Sequence, residues 1–251
     1  MMRICVARGD ARMEYATDAL AKKGYEVTRE IGHDQLDALV LPVRASNTPP
    51  ELIRSCQERG ILVVGGMLPV AGAGCFDYMK DEAFLYENAR ITAEGAVMLL
   101  GTQSKGVLYG ADVAIVGMGR IAECLCMMLC ALQVRVSVYA RRPEVLSRAR
   151  TMGARTVCFS GELPASIATH DAVCNTVPHL LFDAQLLGRL EKETMLVELA
   201  SDPGGFDRSA ALQYGLHIIN GQGIPGKYAP RAAGELIAAY TGDVLRRERD
   251  I

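Results

Sequence analysis

The spacing Gly117-Met118-Gly119-Arg120-Ile121-Ala122 constrains this chain more than any other feature, because of what flanks it. The run Asp112-Val113-Ala114-Ile115-Val116 before it reads as a buried strand. After it, Ile121, Leu125, Met128, Leu129 and Leu132 recur at three- and four-residue intervals, the period of a helix with one apolar face. Val134 to Tyr139 then reads as a second strand. Strand, glycine turn, helix and strand within about thirty residues is the order of a dinucleotide-binding βαβ unit. Gly117 permits the tight turn, Gly119 lets the backbone approach a pyrophosphate, and Ala122 is small enough for the helix to lie against the strand. The first helical turn presents N–H groups without intrahelical partners, and the positive end of the helix dipole, to phosphate. The alternative is an α/β unit whose glycines serve packing alone.

The residues that end the second strand bear on which dinucleotide. A site that prefers NAD usually carries Asp or Glu there, on the ribose hydroxyls. Here the strand ends in Tyr139-Ala140 and is followed by Arg141-Arg142. A guanidinium pairs bidentately with phosphate, so Ala140, Arg141 and Arg142 favour NADP (NADPH), with the arginines on the 2′-phosphate. The competing reading makes both arginines solvated charges ahead of a helix.

Composition sets the frame. The chain has 251 residues, 50% of them hydrophobic, which is enough for a sizeable core in one large or two modest domains. A formal net charge of −2 gives no reason to propose nucleic acid or a membrane surface as partner. No apolar run is long enough to span a bilayer, and Met1 to Ala7 is too short an apolar stretch for a signal peptide, so a cytoplasmic protein is expected. The eight cysteines form no C-x-x-C pair and no histidine lies at finger-like spacing from them, so no metal site is expected. Buried reduced thiols acting as small hydrophobes account for them.

Short apolar runs alternate with helical patterns along the whole chain, which implies parallel α/β architecture throughout. Strands are expected at Arg3 to Ala7, Tyr25 to Arg29, Asp37 to Leu41 and Ile61 to Val64, with helices at Met13 to Lys23 and Pro49 to Arg59. Residues 1–87 thus read as a smaller, flavodoxin-like substrate domain and 88–110 as a linking helix. Residues 111–228 read as a Rossmann-type, doubly wound nucleotide domain. Residues 229–251 read as a C-terminal helix with a charged tail, able to pack back on the first domain. In the nucleotide domain, further strands are expected at Thr156 to Phe159, Asp171 to Cys174, Thr194 to Leu199 and His217 to Ile219, and a helix at Leu181 to Leu190.

Ligands of such sheets lie beyond the carboxyl ends of the strands. That singles out the loop with Asp10 and Arg12, where Arg12 is a candidate clamp for an anion. It also singles out Asn175-Thr176-Val177-Pro178, expected near the nicotinamide end of the cofactor, and Ser201 with Gly204, whose loop suits a carboxylate or carboxamide. Gly226-Lys227, between two prolines, reads as a loop over the cleft with an ammonium for a carboxylate. Thr92 and Glu94 on the linking helix are candidates to face substrate. Of His33, His170, His179 and His217, only His179 borders a site loop, where a chance polar residue opening a helix competes with a proton carrier.

These stretches resemble the A subunit of dipicolinate synthase along most of the chain. The resemblance runs through Gly9-Asp10-Ala11-Arg12, Asn88 with Thr92-Ala93-Glu94-Gly95-Ala96, the glycine turn and Asn175-Thr176-Val177-Pro178. It continues in Leu199-Ala200-Ser201, Pro203-Gly204-Gly205, Gly223-Ile224-Pro225-Gly226-Lys227 and Ala229-Pro230, the later blocks being the most specific. It implies a two-domain fold like that of the 2-hydroxy-acid dehydrogenases. It also implies oxidation of a dihydrodipicolinate-type ring to pyridine-2,6-dicarboxylate for spore formation, with NADP as acceptor. A small dicarboxylate substrate and the synthase's second, flavoprotein-like subunit follow as partners, with homo-oligomerisation left open. In that reading Thr92, Glu94, Ser201 and Lys227 surround the reacting ring, with Asp10, Arg12, Gly204 and Gly226 on the substrate. Arg90-Ile91 before Thr92, Arg8 before Gly9 and a short first domain depart from the family's pattern. A related dehydrogenase of another small acid, or a nucleotide-binding subunit without turnover, are the alternatives.

Overall fold

The computed structural model describes residues 1–31 and 36–249, so His33 lies outside the described residues. The chain forms two compact α/β units, residues 1–91 with 225–251 and residues 92–224. The first contains β1 (Arg3–Val6), α1 (Ala11–Lys22), β2 (Glu26–Thr28), β3 (Ala38–Val40), α2 (Pro50–Glu58), β4 (Leu62–Gly65) and β5 (Cys75–Asp77). A long helix, α3 (Glu82–Gln103), follows, and the division between units falls within it. The five strands pair in parallel in the order β2-β1-β3-β4-β5, the flavodoxin-like order. Strand β5 is absent from the sequence reading. It is an edge strand of three residues between Gly74, at φ 75°, and a 3-10 turn, too short to display a period.

The second unit carries β6 (Asp112–Val116), α4 (Arg120–Ala131), β7 (Arg135–Ala140), α5 (Pro143–Thr151), β8 (Arg155–Cys158), β9 (Ala172–Asn175), α6 (Ala184–Leu187), β10 (Met195–Glu198), α7 (Arg208–Gln213) and β11 (Ile218–Asn220). Its sheet has the order β11-β10-β9-β6-β7-β8 and is parallel throughout, the doubly wound arrangement of two mononucleotide-binding halves. Successive side chains of a strand point to opposite faces, and the core follows that rule. Val113 and Ile115 join the layer formed with Leu125 and Leu129 of α4, while Ala114 and Val116 join the layer with Leu187 and Ala210 on the other side. Covered on both faces, these strands read as continuous apolar runs.

Three segments differ from expectation. Only Ala184–Leu187 is helical where the sequence predicts Leu181 to Leu190, because the Asp183 side chain caps Leu186 N–H and the N–H groups of Leu181 and Phe182 donate to Gly205 O instead. The stretch after Gly223 contains a helical turn, α8 (Ile224–Lys227), rather than an open loop. The charged tail is itself part of the helix, α9 (Pro230–Glu248), because Thr241, Val244 and Leu245 are buried, the last two in the first unit's core. Helix α9 lies on α1 at Gly234, where a Cβ would come within 2.7 Å of Tyr15 Cβ. At its end the Arg249 side chain donates to Gly60 O at 2.9 Å. Among the described residues no helix is long and apolar enough to cross a membrane.

Candidate functional site

The turn from β6 into α4 is built so that one glycine is required by its surroundings and the next by open space. Gly117 has φ 97°, and a Cβ there would run into Thr176 Oγ1 and lie 2.9 Å from Val177 Cγ2. Gly119 is the N-cap of α4, without a side-chain cap, and a Cβ added to it would meet nothing within 4 Å. The N-terminus of α4 thus has open space at Gly119, as a pyrophosphate requires. Ala122 is fully buried between helix and sheet, as the close approach demands.

A cavity of about 320 Å³ opens beside this turn. It brings together Gly117, Met118, Gly119, Ala140, Arg141, Arg142 and Val177, which the sequence places in three separate stretches. Apolar walls come from Val145, Phe159 and Leu181, suited to an adenine face. Met118 is 4% exposed and belongs to the core. Arg120 and Ile121 follow in the first turn of α4, Arg120 exposed and Ile121 half-buried against the core. Arg141 and Arg142 are both exposed at the end of β7. Turn, uncapped helix and basic rim fit a dinucleotide phosphate.

Asn175 and Thr176 both make internal hydrogen bonds. Asn175 is fully buried. Its amide nitrogen donates to Glu198 Oε1 at 2.7 Å and to Val177 O at 3.0 Å, and its Oδ1 accepts from Val177 N–H at 3.1 Å. The Thr176 hydroxyl donates to Val116 O at 2.8 Å, next to the glycine turn. Both side chains hold the loop, and Val177 reaches the cavity that Arg141 and Arg142 also line. Pro178 and His179 follow, both exposed.

Glu198 is missed by the sequence reading, although an acid in the apolar run Met195 to Ala200 is a signal for it. Its carboxylate is buried at 1% exposure at the end of β10 and also accepts from Ala200 N–H at 3.1 Å and Gly205 N–H at 2.6 Å. Gly204, read as a substrate contact, is buried against this carboxylate; a Cβ there would sit 2.6 Å from Oε2. A Cβ on Gly205 would collide with the Asn175 amide. Ser201 is exposed in the same loop, and Gln222 braces it by donating to Ala200 O at 2.8 Å and Asp202 Oδ1 at 3.2 Å. On α3 Thr92 is buried and Glu94 exposed. The cavity by the glycine turn does not extend to Thr92, Glu94 or Ser201.

In the first unit Asp10 caps α1, its carboxylate accepting from Arg12 N–H at 3.0 Å and from Arg12 Nε and Nη2 at 2.9 and 2.5 Å. The Arg12 hydrogen bonds hold the Asp10 carboxyl below the usual carboxylate range. Gly226 lies beside the Arg12 guanidinium; a Cβ there would be 3.2 Å from Nε. Arg12 thus already has an internal anion. Lys227 is exposed at the end of α8. Among the described residues no group of three or more His, Cys, Asp or Glu side chains could hold a metal ion. Burial pushes the Cys126 and Cys174 thiols up to about 12 and so keeps them protonated.

Comparison with known proteins agrees with this geometry. Residues 76–208 match the family described as D-isomer specific 2-hydroxyacid dehydrogenase, NAD binding domain. The A subunit of dipicolinate synthase from Bacillus subtilis (strain 168) is 30% identical over 240 residues, 86% of this chain and 80% of that protein. The crystal structure of the A chain of dipicolinate synthase from Bacillus subtilis superposes with a TM-score of 0.82 at 24% identity, covering 99% of this chain and 97% of that one. The corresponding protein from Bacillus halodurans gives 0.79 at 24% identity, covering 97% of each chain. An uncapped α4, a glycine turn and a cavity lined by both halves of its signature are what such a nucleotide domain needs, and the chain belongs to the family of the dipicolinate synthase A subunit, as an NAD(P)-dependent oxidoreductase with a 2-hydroxyacid dehydrogenase nucleotide domain.

Proposed function

We propose that this chain oxidises dihydrodipicolinate to pyridine-2,6-dicarboxylate, with NADP as acceptor, beside a second, flavoprotein-like subunit. The observation that carries the cofactor choice is the rim of the cavity, where Ala140 stands in place of an acid and Arg141 and Arg142 follow. An acid there would repel a 2′-phosphate, while two guanidinium groups attract it. The substrate rests on kinship with a protein named as part of dipicolinate synthase. Bound NADP supplies the acceptor for a hydride. The ring loses that hydride from one carbon and a proton from its neighbour, and becomes aromatic. Aromatisation drives the reaction, so the protein's task is alignment.

The backbone of Gly117 to Ile121 holds the pyrophosphate, and Asn175, through Val177, shapes the loop at the end of β9. Thr92, Glu94 and Ser201 are the nucleotide unit's candidates for the ring. Arg12, held by Asp10 beside Gly226, and Lys227 are the first unit's candidates for its carboxylates.

The test is reduction of NADP and of NAD by freshly made dihydrodipicolinate, with and without the flavoprotein-like partner, read as reduced-nicotinamide absorbance and as dipicolinate formed. The expected result is turnover with NADP preferred. Tight NADP binding with no turnover in either condition overturns the enzyme reading. Turnover of a different small acid moves the chain to a related dehydrogenase.

A further inference from the structure

The carboxyl ends of β9 and β10 belong to the second mononucleotide half of the sheet, the half over which the nicotinamide end of a dinucleotide lies. A single buried side chain joins the two loops that leave those ends. Glu198 Oε1 accepts from the Asn175 amide at 2.7 Å and from Ala200 N–H at 3.1 Å, while Oε2 accepts from Gly205 N–H at 2.6 Å. Asn175 passes the constraint on, because its amide group grips both Val177 N–H and Val177 O. Gly204 and Gly205 leave room for the carboxylate and the amide respectively, so loop composition and buried pair are matched. A carboxylate placed at 1% exposure is costly unless its acceptor capacity is met, and here N–H donors from both loops meet it.

We propose that Glu198 is a positioning residue for hydride transfer: it fixes the loops after β9 and β10 as one rigid platform under the nicotinamide, without touching cofactor or substrate. The proposal rests on the oxidoreductase assignment and not on which ring is oxidised. Replacing Glu198 by Gln puts an NH₂ group where an acceptor stood, against the N–H of Gly205 or the amide of Asn175. One loop is then released, while the Thr176 hydroxyl still ties the start of the β9 loop to Val116 O beside the glycine turn.

The experiment compares the full-length wild type with Glu198→Gln and Glu198→Asp. Affinity for the adenosine end alone is measured with 2′,5′-ADP (or 5′-AMP if NAD proves to be the cofactor). The environment of the nicotinamide is read from the emission of bound reduced cofactor, and kcat and KM from turnover. For Glu198→Gln we expect fragment affinity within about twofold of wild type, altered emission of the bound reduced ring, and a fall in kcat of up to about 100-fold, the scale of an ångström's misplacement. Glu198→Asp, which keeps the carboxylate one methylene short, is expected to lie between. Unchanged emission and kcat in Glu198→Gln, or fragment affinity lost in parallel with kcat, overturns the proposal. If Glu198→Gln does not fold, Glu198→Asp is measured in the same two ways and the same results overturn the proposal. Should the wild type turn over no dihydrodipicolinate, the emission and fragment measurements still decide the role of Glu198, so failure of the substrate reading is seen separately.

Discussion

In the first unit β1 turns through Gly9 into α1, and Asp10 caps the helix; in the second, β6 turns through Gly117 into α4, and Gly119 stands at the cap. The cap backbones are nearly the same, φ −77° and ψ −179° at Asp10 against φ −86° and ψ −174° at Gly119. The side chains make the difference. At α1 a carboxylate of the chain itself occupies the helix N-terminus, neutralised by the fork of Arg12, and the turn is filled: a Cβ on Gly9 would be 2.7 Å from Met13 Cγ and 3.2 Å from Pro42 Cγ. At α4 no side chain caps the N-terminus and nothing lies within 4 Å of where a Cβ would be. One corner has satisfied its orphan donors internally and is finished as structure. The other has been left for an anion from outside.

Gly119→Asp is the most severe way to break this contrast, because it copies the first corner onto the second. The backbone angles already suit Asp, so the fold is expected to gain a few tenths of a kcal/mol from the cap. Binding of the dinucleotide is expected to fall by at least about 100-fold, since a carboxylate facing the pyrophosphate costs several kcal/mol. Calorimetry of cofactor binding alongside a melting curve checks both; retained affinity would mean that phosphate does not sit at this helix. A smaller effect is expected of Arg141→Ala with Arg142→Ala. Charge-assisted hydrogen bonds are worth about 1.5–3 kcal/mol, so loss of the pair should weaken NADP by roughly 10- to 100-fold and leave NAD nearly unchanged. Equal weakening of both cofactors would remove the 2′-phosphate from these residues. Smallest is Asp10→Ala, expected to cost about 1 kcal/mol of stability as a lost cap, with cofactor affinity unaltered. Because the Arg12 hydrogen bonds lower the Asp10 carboxyl in the folded state, its stabilising share is present above the normal carboxylate range and is lost as pH falls through the lowered value. Denaturation of wild type and Asp10→Ala should therefore converge toward low pH, and a gap that stays constant would contradict the pairing.

The nucleotide half of the molecule is legible in the sequence because its signals are local. Gly117, Gly119 and Ala122 sit within one turn of chain, and the apolar periods around them belong to strands and helices buried on known faces. Arg141 and Arg142 are legible for the same reason, lying at the end of a strand already identified. What the sequence hides is pairing over distance. Asn175 looks like a free amide at a strand end, and only the fold reveals that it faces Glu198, 23 residues later. Nor does the sequence reveal that Gly204, which looks like a contact for ligand, leaves space for that carboxylate. The extent of α9 is hidden because Arg246, Arg247 and Glu248 give the tail a solvated composition, while Val244 and Leu245 anchor it inside.

The first unit is interrupted in sequence, with residues 1–91 on one side of the second unit and 225–251 on the other. Chains are made from the amino end, and domains commonly fold in that order as they emerge. Here the ribosome has released every residue of the nucleotide unit before it releases α9, the helix on which α1 packs at Gly234. The unit that begins first is completed last, and for the time it takes to translate the second unit the side of α1 at Arg12, Tyr15 and Ala16 lacks the helix that packs on it. A nascent chain stalled just after Ile224 would carry a whole nucleotide unit and an unfinished neighbour.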